Sequence, residues 1–396
     1  MLHAFDARIE NGGSELFAFV PNSVIPKLKH LAEFDYTHRY YVDGTTRVAD
    51  AWLGDKWATV AVGVTGAGGS GVFALNVTDV ASSSSVGVDN VMWEFTDPKM
   101  GYTMGQPTIV ALPNEKFGVV ISSGYHDGSP DKGYVWVLDV EDGSVIKEFE
   151  LDTKGNLGAV LAVDLNGNAV ANRLYTADTY GNVWRLDLEK ATQSSWGIPS
   201  GLNSGPLFKV KDAEGNSQAI TAPLTAAFNK SGEVMLVFGT GSFYRVGDNE
   251  VSNNPPVDTL YGLFDSEQLI DGRSKLLKQK IIFETNDYGN HLRATSGNEL
   301  SDEQGWYLDL AWAKADGGDG PKGERVVAQA SLRSTRAVFT TMTPVDDPCA
   351  SGGTSMLMAL DLFSGERLPS AYFDVSGDGV IDDADYYVLP DGQKIP

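Results

Sequence analysis

Residues 106–151 read QPTIVALPNEKFGVVISSGYHDGSPDKGYVWVLDVEDGSVIKEFEL. Four short runs stand out: QPTIVAL, FGVVISSGY, YVWVLDVEDGSV and IKEFEL. Each is rich in β-branched and aromatic residues, and Asn, Asp and Gly separate them. That is the pattern of strands joined by tight turns. The runs are too short for helices, and their apolar residues do not recur at helical spacing. The segment therefore predicts a four-stranded antiparallel sheet.

The same layout recurs on either side. Arg47–Asp97 gives RVADAWL, WATVAVGVTG, GVFALNVTD and VMWEFTD. Pro223–Phe283 gives PLTAAF, VMLVFGTGS, TLYGLFDSE and LLKQKIIF. Val326–Glu366 gives VVAQASL, AVFTTMT and SMLMALDLFSGE. The third strand of each unit ends alike, in LHAFDA, VFALNV, VWVLDV, VWRLDL, LYGLFD and LMALDL. The recurring Asp or Asn reads as a turn residue capping the hairpin between the third and fourth strands. Four-stranded units of about 45 to 65 residues, each needing neighbours to bury its faces, mean a β-propeller. The fold class is all-β: a modified propeller with irregular loops, of six or seven blades, with seven preferred. It is expected to fill residues 1–396 as one domain. LHAFDARIENGGSELFAFVP supplies only a third and a fourth strand, so the chain reads as part of a longer protein. Asn286–Ala313 offers a further irregular unit. Ile25–Phe34 is the best short helix.

Composition narrows the partners. The net charge of −23 disfavours nucleic acid, whose phosphates need Lys and Arg, and favours cations. No apolar run approaches the ~20 residues that cross a bilayer, and the opening residues show no signal peptide. The single cysteine, Cys349, permits no internal disulfide and no CxxC metal site. It reads either as a free thiol or as one half of a bridge to a segment outside this chain. GAGGSG, from Gly66 to Gly71, is followed by a strand and not a helix, so it reads as a turn and not a phosphate cradle. His3, His30, His38, His126 and His291 make no close ligand pair, and no GxSxG elbow occurs. Trp52, Trp57, Trp93, Trp136, Trp184 and Trp306 read as packing between blades.

Two stretches carry metal chemistry. FDVSGDGVIDDADYYV spans Phe373–Val388. A calcium loop of the EF-hand type takes oxygens from positions one, three, five, seven, nine and twelve, with glycine at six. Asp374, Ser376, Asp378, Val380 (through its carbonyl), Asp382 and Asp385 fill those positions, and Gly379 stands at six. Ile381 is expected to anchor this loop, 374–385, to the core. Position twelve is Asp where Glu is usual, which shortens the reach for bidentate binding. The second stretch is a loop at 164–172, with Asp164, Asn166, Asn168, Val170 and Asn172 at one, three, five, seven and nine. It holds one carboxylate, and affinity follows ligand charge. Two readings stand for it: a weak calcium loop, or an Asx-rich hairpin turn.

The ordered segments MLHAFDARIENGGSELFAFVPNSV, HRYYVDGTTRVAD, VTGAGGSGVFALNVTD, VMWEFTDPKMGYTMGQPTIV, DTYGNVWRLDL, FGTGSFY, GWYLDL and DPCASGGTSMLMALDL resemble the C-terminal region of the PilC/PilY proteins of type IV pili. The similarity runs along nearly the whole chain. It implies an exported protein at the outer membrane, cell surface or pilus tip. It implies roles in pilus assembly, retraction control, adhesion and twitching motility, with pilins, minor pilins and the assembly machinery as partners and host-cell or surface ligands besides. It also implies calcium as cofactor, at the propeller site that matches Asp164, Asn166, Asn168, Val170 and Asn172. Members usually carry acids at several of these positions; here three are Asn. The tail loop from Asp374 keeps its carboxylates and is placed to carry the calcium role instead.

The expectation is a non-enzymatic, calcium-binding module that promotes pilus assembly or opposes retraction through protein binding. The alternatives are a quinoprotein-dehydrogenase-like enzyme, which also uses propeller blades and calcium, and a passive adhesive scaffold. The lone cysteine argues against the enzyme, which often carries a vicinal disulfide.

Overall fold

The computed structural model describes residues 1–10, 12–80, 86–287, 290–345, 353–389 and 392–396. Cys349 lies outside the described residues. The chain divides into two compact units, one of Met1–Asp178 with Trp184–Gly205, the other of Thr179–Val183 with Pro206–Pro396.

The first unit opens with a hairpin, β1 (Leu2–Phe5) and β2 (Glu15–Phe19). The helix expected between Ile25 and Phe34 forms as a 3-10 helix, Ile25–Ala32. Two antiparallel four-stranded sheets follow as the repeats predict. The first is β3 (Thr46–Leu53), β4 (Lys56–Val64), β5 (Val72–Asn76) and β6 (Val91–Phe95). The second is β7 (Thr108–Ala111), β8 (Phe117–Ser122), β9 (Gly133–Asp139) and β10 (Val145–Leu151). GAGGSG is the turn between β4 and β5, as expected. β11 (Leu161–Val163), β12 (Arg173–Ala177) and β13 (Asn182–Asp187) come next. The inner strands bury continuous apolar runs. Val60, Val62 and Ala74 of one sheet pack with Val119, Trp136 and Leu138 of the next. Val135, Val137 and Phe149 pack in turn with Leu174 and Trp184. Consecutive sheets thus stack face to face, as blades must.

In the second unit, β14 (Phe208–Lys209) pairs with Asn182 and Val183. A five-stranded sheet then departs from expectation. Its order is β15 (Thr225–Phe228), β16 (Val234–Gly239), β17 (Thr259–Phe264), β21 (Gly305–Asp309) and β18 (Leu277–Gln279). LLKQKIIF was expected as the fourth strand. GWYLD takes that place instead, and β18 lies outside it, parallel. The reason is steric. Gly262 of β17 stands opposite Trp306 of β21. A Cβ on Gly262 would fall 2.3 Å from the Trp306 ring nitrogen, so only glycine admits that ring. The segment between the two strands forms a ribbon, β19 (Ile281–Asp287) with β20 (Asn290–Thr295). Two short strands, β22 (Ala311–Trp312) and β23 (Gly320–Pro321), pair beside it. β24 (Ser331–Arg333), β25 (Arg336–Thr343) and β26 (Thr354–Asp361) form a three-stranded sheet. Its Ala337, Phe339, Met358 and Leu360 pack with Met235, Val237, Leu260 and Trp306. β27 (Tyr387–Val388) and β28 (Lys394–Ile395) close the chain.

The recurring acid is a turn residue, as the repeats predict. Its side-chain oxygen accepts the N–H two residues on at Asp6, Asn76, Asp139, Asp265 and Asp361, at 2.9–3.1 Å. At Asp187 it takes the Arg185 guanidinium instead, at 2.7 Å. Two of these turns dock a tryptophan. Gly143 donates its N–H to the Asp139 carbonyl at 2.9 Å, and the Trp93 indole N–H reaches the Val140 carbonyl at 2.8 Å. Gly365 and Asp361 repeat the turn, and Trp306 reaches the Leu362 carbonyl at 3.1 Å. Each ring comes from the preceding sheet and lies on the turn glycine. The reading of tryptophans as blade packing holds for Trp93, Trp136, Trp184 and Trp306, which are buried. Trp52 and Trp57 are 43% and 58% exposed near the β3–β4 turn and meet edge to face at 5.7 Å. Trp57 also meets Phe117 of β8, in the next sheet, edge to face at 5.5 Å, so it packs between sheets at their rim, whereas among the described aromatic rings Trp52 packs only on Trp57.

Candidate functional site

The tail loop begins where Phe373 leaves the body of the second unit. Its shape follows from one carboxylate. Asp374 accepts the N–H of Gly377 at 2.7 Å through Oδ1 and that of Gly379 at 2.8 Å through Oδ2. Those bonds pull the chain round the side chain, and the glycines take the left-handed conformation such a curl requires, at φ +76° and +87°. The Ser376 hydroxyl also donates to Asp374, at 3.2 Å. Asp378 accepts the Val380 N–H at 2.8 Å. Asp382 caps the 3-10 turn Asp383–Asp385 by accepting the Ala384 N–H at 2.7 Å.

Asp385 closes the loop from the other end. It accepts the N–H groups of Ser376 at 3.0 Å and Asp382 at 2.9 Å. It is 3% exposed. Those donated N–H groups hold its carboxyl below the usual carboxylate range, against the opposing effect of burial. Ile381 does not anchor the loop: Val380 and Ile381 are 57% and 54% exposed. Asp385 closes the loop on itself, and Tyr387 anchors it by stacking on Phe283 of β19 at 5.5 Å. Leu389 and Ile395 complete a small apolar cluster with Ala294. Beneath lies a cavity of about 160 Å³ that Val375, Asp385 and Tyr387 help to line. Sequence reasoning missed Lys394, 3.5 Å from Asp383 and over the Tyr386 ring. Its only signal was a cation opposite an acidic loop.

The loop at 164–172 in the first unit follows the same plan. Asp164 accepts the N–H groups of Asn166, Gly167 and Ala169 at 3.1, 2.9 and 2.7 Å. Burial raises its carboxyl pKa, but the N–H groups of Ala169, Asn166, Gly167 and Asn168 outweigh it and hold the group below the usual range. Asn168 accepts the Val170 N–H at 2.9 Å, as Asp378 does for Val380. Asn172 accepts the Leu165 N–H at 2.8 Å, closing the loop as Asp385 closes the other. Val170 bridges to Ala111 of β7.

The two loops share their hydrogen bonds at positions one and five but close differently, the first through Asn172 at nine and the tail loop through Asp385 at twelve; the side-chain oxygens of both are the ligand type calcium takes. A carboxylate has about four acceptor sites. Asp374 has spent three, Asp385 two and Asp378 one, so acceptor capacity remains in the tail loop. In that sense the residues fit calcium. Among the described residues, however, no three His, Cys, Asp or Glu side chains converge into a metal-ligating group. Asp374 and Asp385 meet at Ser376. Asp378 and Asp382 are turned to backbone N–H groups of their own.

A family model described as the PilY1 beta-propeller domain matches residues 1–282. A type IV pilus biogenesis factor PilY1 homolog of Xylella fastidiosa is 36% identical over 92% of this chain and 25% of its own length. The type IV pilus biogenesis factor PilY1 of Pseudomonas aeruginosa is 31% identical over 98% of this chain and 36% of its own length. The chain thus spans about a quarter to a third of these curated relatives. The crystal structure of the Pseudomonas aeruginosa PilY1 C-terminal domain matches 99% of this chain and 83% of that one, with 26% identity and a TM-score of 0.79.

Proposed function

We propose, from the premise that this chain belongs to the PilY1 β-propeller family, that it is the propeller module of a type IV pilus biogenesis factor. Its fold is that family's modified β-propeller. The relatives named as pilus biogenesis factors support the role, and with it a place in the cell envelope or at the cell surface and contact with pilus components. The work is binding, not catalysis. Pilins or minor pilins and the assembly machinery are the partners, and surface or host-cell ligands are secondary.

Calcium enters through the loops. The observation that supports this reading is the tail loop, where Asp374, Asp378, Asp382 and Asp385 stand at positions one, five, nine and twelve of a backbone curled by its own N–H groups onto the Asp374 and Asp385 carboxylates. Bound calcium would neutralise carboxylates that otherwise repel one another. The loop then orders a surface on which a pilus protein docks. The tail loop binds calcium more tightly than the loop at Asp164, because four carboxylates there face one carboxylate and three amides. Calorimetric titration of Asp378→Asn and Asp164→Asn variants tests the order. These keep the N–H acceptor and remove the charge. Loss of the tighter event in Asp378→Asn is expected. Its loss in Asp164→Asn alone would reverse the ranking.

A further inference from the structure

A further cavity belongs to neither loop. It measures about 440 Å³ and opens in the second unit between β18, β22 and β23. Sites for small ligands typically hold about 300–1,000 Å³. Lys278, Lys280 and Lys314 line it, with Asp309, Asp316 and Glu214. On a chain of net charge −23 this is an unusual place. Residues 273–280 hold four cations and no acid.

The acids pair with two of the lysines but leave their hydrogen-bonding capacity unfilled. Lys278 Nζ lies 3.7 Å from Asp309 Oδ2, and Lys280 Nζ 3.6 Å from Asp316 Oδ2. Both distances exceed a hydrogen bond. Asp309 is already engaged by the Thr259 hydroxyl at 2.9 Å and by the Arg273 guanidinium, which itself lies 4.0 Å over the Tyr307 ring. Among the described residues the Lys314 ammonium has no acceptor; its stem lies against Gly320. Each ammonium offers three donors. Three lysines therefore line one concavity, two of them ion-paired at its wall without a hydrogen bond and Lys314 without an acceptor among the described residues.

We propose that this cavity is a polycarboxylate site. One carboxylate serves one or two of the ammonium groups; a ligand bearing two or three serves all. The carboxylates come either from an acidic peptide segment of a partner or from a free small acid. The site is independent of calcium and of the reading of the two loops.

The test uses the metal-stripped 396-residue chain in metal-free buffer, titrated calorimetrically with tri-glutamate and separately with tricarballylate. Saturable binding that weakens with salt is expected. Binding of the peptide alone assigns a protein partner, of tricarballylate alone a free acid, and of both the shared chemistry. The triple variant Lys278→Gln, Lys280→Gln, Lys314→Gln should bind about tenfold more weakly, from three partly exposed charge pairs. The triple Lys→Arg variant keeps the charge and should retain binding. Thermal melting of both variants confirms that they fold. The proposal is overturned if neither probe saturates, if the glutamine variant binds as the parent does, or if the arginine variant loses binding equally.

Discussion

Replacing Gly365 by Ala tests the docking of tryptophan on the turn glycine. Two costs are legible. Gly365 has φ +67°, and a side chain in the left-handed region costs roughly 1–2 kcal/mol. The new Cβ would also lie 2.3 Å from Trp306 Cδ2 and 2.4 Å from Cε3. Trp306 is wholly buried and cannot swing into solvent. Overpacking of this kind costs about 1–3 kcal/mol. If the ring moves, its N–H loses the Leu362 carbonyl, and an unsatisfied buried donor adds roughly 1–3 kcal/mol. Gly232→Ala in the same unit is the control: φ is +84° and nothing lies within 4 Å. It bears the backbone cost alone. For a folding unit of roughly 200 residues, 1 kcal/mol moves Tm by ~2–4 °C. Gly232→Ala should therefore lower Tm by about 2–8 °C and the overpacking in Gly365→Ala by about 2–12 °C more. Thermal unfolding by circular dichroism, with tryptophan fluorescence alongside, reads both. Equal melting of the two variants would refute the docking argument.

Further predictions concern buried charge. Arg293 is buried and meets Glu324 at 2.6 Å and Glu284 at 2.7 Å, both buried too. Arg293→Met strands them, with Lys322 at 3.0 Å relieving only Glu284, and should cost about 3–5 kcal/mol in a denaturant melt. Asp258 has its pKa pushed up to about 6 by burial, against the opposing Thr240 hydrogen bond and Arg325 charge. Its folded-state pKa exceeds the unfolded one, so the folded state holds the extra proton and stability falls as pH rises from about 4 to about 6. Asp258→Asn should then stabilise the fold at pH 7.5 by at most about 3 kcal/mol, read as a higher Tm, and the gain should vanish near pH 4. A gain that is the same at both pH values would show that the charge is not the cause.

The repeats were legible because blade strands alternate β-branched runs with Asx and Gly turns, a local signal. The acid in VWVLDV and LMALDL could be read as a turn residue because its bond goes only two residues along the chain. The tryptophans were read as packing, but not as partners of those turns. Trp93 and Val140 stand 47 residues apart, and no local pattern links them. The strand order around β17 misled for the same reason. LLKQKIIF has a better strand composition than GWYLD, but Gly262 makes a hole that only the Trp306 ring fills. In the tail loop the liganding spacing was visible. Which residue anchors it was not. Apolar Ile381 is exposed and charged Asp385 is buried, because two backbone N–H groups outweigh the usual preference for burying the apolar side chain.

The most direct test of the central claim replaces Asp374 and Asp378 together by Ala in the protein expressed by its native host. Surface piliation or twitching is measured, with melting of the isolated chain beside it. The loop rests on its own small cluster, and only a cavity wall is shared with β26, so its loss should cost mainly local order. A docking surface that is ordered less often binds in proportion more weakly. The account predicts impaired piliation with melting of the isolated chain nearly unchanged. Normal piliation by a variant that has lost its calcium would contradict it, and so would collapse of the melting temperature.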